Sequence, residues 1–225
     1  MSEAFNAERL TRLCGFLQQS PTPWHATQRM VERLEQAGFA RLEETANWQL
    51  VPGKRYYVTR NDSSVIAFQL PAGKLTSLRM MGAHTDSPGL RLKPNATQYS
   101  AGWLQLGVQV YGGVLLAPWF DRDLGLAGRV HVRHADGRLE SVLLNVDRPI
   151  AMIPSLAIHM DRDVNGGRSI NPQTQMAPVL MQSDTAKLHE LLGQWLEEQH
   201  GLRAVEVVDF ELGFYDVQPP SLVGL

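Results

Sequence analysis

The stretch Ser77–Asn95, SLRMMGAHTDSPGLRLKPN, holds the switch on which the fold turns. Its first part, SLRMMGAH, is an apolar run of strand length. A run apolar on both faces predicts a buried, central strand of an α/β sheet. His84 then sits at or just past the end of that strand, where sites of α/β folds collect. From about Lys93 the texture becomes mostly β, which predicts a domain boundary near residue 93.

Upstream of the switch the pattern is helical. Leu10, Leu13, Cys14 and Leu17 fall at helical spacing, and Ser20 with two prolines stops that helix. Ala26, Met30, Leu34 and Ala37 mark a second apolar stripe, with Gly38 placed to cap it. RYYVTRNDSSVIAFQL then reads as strand, Asn-Asp turn, strand. Downstream, GWLQLGVQVYGG, AGRVHVRHADGRLESVLLNV and RAVEVVDFEL are the clearest strands, the second holding a hairpin at Ala135-Asp136-Gly137. One helix interrupts them. Ser183 is its N-cap candidate, Leu188, Leu191, Leu192 and Trp195 its buried face, and Gly201 its end. Between Pro154 and Pro178 lies a polar loop of a length that is often functional.

Bulk properties exclude several classes. The 225 residues are 44% hydrophobic and 20% charged, so a core can be buried and the chain stays soluble. A net charge of -2, from 21 basic and 23 acidic residues with no basic block, argues against a nucleic-acid partner. The lone cysteine, Cys14, rules out an internal disulfide and a Cys-rich zinc motif, and a reducing cytoplasm fits. No stretch reads as a signal peptide, and no apolar run approaches the ~20 residues of a membrane helix.

His84 and Asp86 are the first chemistry-bearing pair. Imidazole is a common zinc ligand, and a carboxylate behind it orients the ring and raises its basicity. Residues two apart on an extended segment point the same way. On this spacing alone the structural reading has the edge: a histidine satisfied at a strand end, with Asp86 capping a turn. Asp161, Asp163, Asn165 and Gly166 match the start of a calcium loop, but its twelfth position, which needs a bidentate Glu, is Pro172. Asp121, Arg122 and Asp123 read as a structural ion-pair network. His131 and His134, three apart on a strand, face opposite sides and do not share a metal. Cys14 reads as a core residue rather than a nucleophile. There is no H-E-x-x-H, no G-x-S-x-G and no phosphate loop.

Five ordered motifs reverse the balance at His84. SPTPWHA, GAHTDSPGLRLKPN, YGG with WFDRDLGLAGRV, IPSLAIHMDRDVNGG and ELGFYDVQPPSLVGL together resemble the aspartyl aminopeptidases, two-metal enzymes that remove acidic N-terminal residues. The resemblance runs from about residue 15 to the last residue. It implies that His84 is the first metal ligand and that Asp86 is the acid supporting it. It implies an incomplete α/β/α catalytic domain (1–92), an inserted mostly-β dimerisation domain (93–216), and the start of a return into the catalytic domain (217–225). It further implies that His159 reaches into the neighbouring subunit's active site to contact substrate or stabilise the oxyanion.

Zinc, with manganese or cobalt as alternatives, is the implied cofactor, used as a pair. A peptide with an acidic N-terminus is the implied substrate, and a homodimer or larger homo-oligomer the implied assembly. In the family a bridging aspartate, a glutamate pair, a further acid and a final histidine follow the closing motif. The resemblance therefore places those ligands beyond Leu225 and implies a truncated or fragmentary product. A rival expectation is a non-catalytic oligomerisation module that pairs with itself or with a full-length copy.

Overall fold

The computed structural model describes residues 3–224, with side chains from residue 7 onward. Two compact units divide the chain, Met1–Ser87 with Pro219–Leu225, and Pro88–Gln218. The division after Ser87 lies ahead of the boundary near residue 93, because a strand already begins at Gly89.

In the first unit, helices α1 (Glu3–Gln18) and α2 (Pro23–Gln36) precede strands β1 (Ala40–Arg41), β2 (Arg55–Arg60) and β3 (Ser64–Gln69). The sheet order is β1-β2-β3, parallel then antiparallel. Asn61 and Asp62 turn the β2–β3 hairpin at φ 52° and 51°, the left-handed region that Asn and Asp tolerate best. Gly38, at φ 78°, follows the end of α2 as the capping pattern predicts. The stripe on α1 forms the expected helix, yet Leu10, Leu13 and Leu17 are exposed and Cys14 is only half-buried rather than core.

SLRMMGAH forms no strand, contrary to the sequence expectation. Among the described residues nothing pairs with it, and Met81 is 101% exposed. A central strand needs a ladder partner on each side, and the three strands of this sheet pair only with each other.

His25 is a buried histidine of this unit. Thr22 caps α2, its hydroxyl 2.7 Å from the His25 Nδ1. Burial, and then the nearby Arg29 charge, push the imidazole from 6.5 down to about 4. In that window the unfolded chain takes up a proton that the folded chain refuses. Stability is therefore intact above pH 6.5 and falls as pH drops toward 4, by about 3 kcal/mol in total. Urea unfolding at pH 7 and pH 4 checks this: His25→Asn should lose markedly less stability across the window. Equal losses would assign the acid sensitivity to other groups.

The second unit is built on strands β4 (Gly89–Ser100), β5 (Trp103–Tyr111), β6 (Leu124–Arg133), β7 (Leu139–Ala151), β8 (Val179–Gln182) and β9 (Glu206–Asp216). Their order is β7-β6-β9-β4-β5-β8, antiparallel throughout. Met152 and Val179 form an isolated antiparallel bridge, so the sheet curls until its edges meet. Pro94 sits where β4 slips register against β5, the bulge position a strand proline requires.

Besides the short helix α3 (Pro172–Gln175), helix α4 (Leu188–His200) packs on this sheet. Its Leu188, Leu192, Trp195 and Leu196 join a core with Leu106, Leu126, Leu144 and Phe214. Gly201 ends α4 at φ 66°, as expected. The start differs. Lys187 is the N-cap, while the Ser183 hydroxyl accepts from the N–H groups of Thr185 and Ala186 in a separate turn. The end of α4 is tied to β7: Gln199 exchanges two hydrogen bonds with the Asn145 backbone, and His200 Nε2 lies 2.8 Å from the Leu143 carbonyl.

Candidate functional site

His84 and Asp86 lie in the first unit, on an irregular segment. Thr85 holds it by donating from its hydroxyl to the Ser63 carbonyl at 2.7 Å, beside the β2–β3 turn. The His84 Nδ1 is hydrogen-bonded to the backbone carbonyl of Asp86. A carbonyl only accepts, so Nδ1 is the donor, and in the neutral ring Nε2 is then the nitrogen with the lone pair. That is the tautomer a metal-ligating histidine uses, fixed by a bond to its other nitrogen. The Asp86 carboxylate stands 3.6 Å from Nδ1, so the backbone, rather than the side chain, makes the orienting bond. The His84 side chain is 77% exposed, leaving Nε2 accessible.

A zinc site takes three or four protein ligands. Among the described residues no group of three or more His, Cys, Asp or Glu side chains could hold a metal ion. His84 and Asp86 have the right donor chemistry but do not complete such a site.

His159 lies in the second unit, exposed, within the turn that Met160 closes by donating its N–H to the Ala157 carbonyl at 2.8 Å. Leu156, Ile158, Met160 and Val164 around it are exposed as well. Both ends of this turn are anchored. Upstream, the Ser155 N–H donates to the Asp121 carboxylate at 2.8 Å. The Ser155 hydroxyl, and then this N–H, hold the Asp121 carboxyl below the usual carboxylate range. Downstream, Asp161 pairs with Arg168, both half-buried, and the Arg168 guanidinium lies 4.6 Å from the centre of the Phe120 ring. The apparent calcium loop is thus a polar turn whose first acid is already paired.

The expected Asp121–Arg122–Asp123 network does not form. Arg122 reaches Asp216 at 3.2 Å and the Pro118 carbonyl at 3.1 Å, while Asp121 turns to Ser155. His131 and His134 do not share a site. His131 Nδ1 meets the Ser141 hydroxyl at 2.8 Å, and His134 Nε2 meets Glu140 at 2.7 Å. Phe120, Ser155 and Arg168 escaped sequence reasoning. Their only signal is three-dimensional, since Asp121 and Ser155 are 34 residues apart.

Residues 16–225 match the family model described as Aminopeptidase I zinc metalloprotease (M18). The chain belongs to this M18 aminopeptidase family. It is 54% identical over 232 residues to a probable M18 family aminopeptidase 2 of Pseudomonas entomophila (strain L48), covering 100% of this chain and 52% of that protein. The cryo-EM structure of the Ape4 and Nbr1 complex contains a chain 36% identical, with a TM-score of 0.86, over 96% of this chain and 45% of that one. The Saccharomyces cerevisiae mApe1 dodecamer is 25% identical with a TM-score of 0.75, over 96% and 49%. The chain thus spans about half the length of the curated relatives it matches. Among the described residues no helix is long and apolar enough to cross a membrane.

Proposed function

We propose that this chain supplies part of the active site of a metal-dependent aminopeptidase that releases N-terminal Asp or Glu from peptides. The observation that carries it is His84: its Nδ1 proton is committed to the Asp86 carbonyl, and its exposed Nε2 is free to ligate. Asp86 is the supporting acid. Zinc, or manganese in its place, supplies Lewis acidity toward the scissile carbonyl and an activated water when a pair is bound. The first unit is then the catalytic portion and the second an inserted dimerisation domain. His159 reaches the active site of a second copy and donates to substrate there. The exposed apolar residues flanking it favour this, because such a loop tip is suited to burial against a partner. The dodecameric state of the yeast relative supports a homo-oligomer, and the proposed enzyme is a cytoplasmic one.

A second reading is favoured by the incomplete donor set among the described residues. On it, the chain is a non-catalytic oligomerisation module. One experiment separates the two. Aspartyl- and leucyl-p-nitroanilide are offered to the purified chain with added zinc or manganese, and self-association is followed by sedimentation. Metal-dependent release with preference for the aspartyl substrate supports the enzyme reading for this chain. Self-association with no bound zinc and no release supports the module.

A further inference from the structure

We propose that Asp121 is a positioning residue that sets where His159 is presented, resting on the reading of His159 as a substrate contact. Asp121 is a non-glycine residue at φ 59°, a conformation Asp adopts at some cost. That conformation is held from both sides. The Asp121 N–H donates to the Ile153 carbonyl at 2.9 Å, and Phe120 bridges Ile153 in parallel. With the backbone so placed, the carboxylate meets the Ser155 N–H at 2.8 Å, the first polar contact of the loop that carries His159. Six residues after Ser155, and two past His159, the chain is caught again through Asp161 and Arg168. The Arg168 guanidinium rests on Phe120, the residue next to Asp121. One short segment, Phe120–Asp121, therefore grips both flanks of the turn. Arg122 fixes that segment in turn, bonding the Pro118 carbonyl and the Asp216 carboxylate.

The physical consequence is specific. Without the Asp121 carboxylate, the Ser155 N–H loses its acceptor while the β ladders of the unit are untouched. The loop then samples positions in which the His159 ring is displaced. A misplacement of about 1 Å costs on the order of a hundredfold in rate when a group must meet a reacting atom.

Two substitutions isolate the carboxylate from the backbone. Asp121→Gly suits the left-handed conformation and deletes the acceptor; Asp121→Asn keeps both the conformation and an acceptor oxygen. Amide hydrogen exchange on the 225-residue chain reads the outcome directly. In Asp121→Gly, exchange at Ser155, Met160 and Asp161 should rise by about tenfold or more, as expected for loss of a hydrogen bond to a charged group. Amides of β6 and β9 should keep their protection, and Asp121→Asn should stay near the parent chain. Unchanged exchange at Ser155 in Asp121→Gly, or a rise spread evenly over the whole unit, overturns the proposal.

A peptidase assay adds the catalytic arm. Asp121→Gly should lower kcat with KM little changed, and the double variant with His159→Ala should be no worse than His159→Ala alone. Additive losses would refute positioning through His159. If His159→Ala itself leaves kcat intact while Asp121→Gly still loosens the turn, the functional reading fails and the anchoring stands.

Discussion

Gly128→Ala is expected to cost the second unit about 3–5 kcal/mol, a large share of the 5–15 kcal/mol that holds a domain folded. Gly128 lies on β6 between two partners, opposite Leu144 of β7 and Leu212 of β9. A Cβ placed there would stand 2.0 Å from the Glu211 carbonyl oxygen and 2.9 Å from the Leu212 Cα. Both neighbours are backbone, so no side chain can swing aside to relieve the clash. The backbone is at φ 155°, outside the range alanine prefers. β6 also cannot retreat, because its other edge is held by the ladder to β7. Relief therefore requires opening β6 from β9, and with it the core around Val130, Leu212 and Phe214. Gly137→Ala is the control: it sits at φ 87° in the β6–β7 hairpin with nothing within 4 Å, so only the turn strain, about 1 kcal/mol, should appear. Urea unfolding followed by tryptophan fluorescence distinguishes the two. A Gly128→Ala chain as stable as the Gly137→Ala chain would show that the ladder yields more easily than its geometry allows.

Gly137 and Gly128 also mark what a sequence reveals. The hairpin at Gly137 was legible because turn chemistry is local: a glycine between two alternating runs has one common use. Gly128 was not, since the groups that exclude a side chain there belong to residues 211 and 212. The same division runs through the molecule. The end of α4 at Gly201 was legible, but its start was not. The Ser183 hydroxyl satisfies the same backbone groups whether a turn or a helix follows, and the helix begins only at Leu188. SLRMMGAH had the composition of a central strand, but composition cannot supply ladder partners, and Met81 lies open. β4 was partly hidden by Gly89 and Pro94, which a bulged strand accommodates and a regular one does not. His84 and His159 stood out only within longer motifs, because an H-x-D pair or a lone histidine is common in structural roles. The grip of Phe120 and Asp121 on the His159 turn had no local signature at all.

His84→Ala and His159→Ala are expected to give the largest effects on catalysis, and mixing them decides how the site is shared. On the proposed reading, loss of His84 would remove a metal donor, so peptide hydrolysis should fall about a thousandfold or more, with zinc affinity falling alongside. On the same reading, loss of His159 would remove a donor to substrate, and about a hundredfold to a thousandfold of kcat should go with it. Self-association should survive both: the His84 side chain is 77% exposed, and in His159→Ala the apolar Leu156, Ile158 and Met160 that flank the ring remain to cover the loop tip. If His159 serves the partner's site, a mixed dimer contains one site with both histidines intact: His84 from the His159→Ala chain and His159 from the His84→Ala chain. Random pairing makes half the dimers mixed, each with one working site of two, so activity should recover to about a quarter of the parent level. If His159 serves its own subunit, every site in the mixture lacks one histidine, and mixing restores nothing. The two variants are unfolded together and refolded, or co-expressed, so that subunits exchange, and initial rates on aspartyl-p-nitroanilide are compared with each variant alone. Recovery requires both residues to act and to act across the subunit boundary, a conclusion neither single substitution could reach. Full activity in His84→Ala alone would remove the metal-ligand reading before any mixing was done.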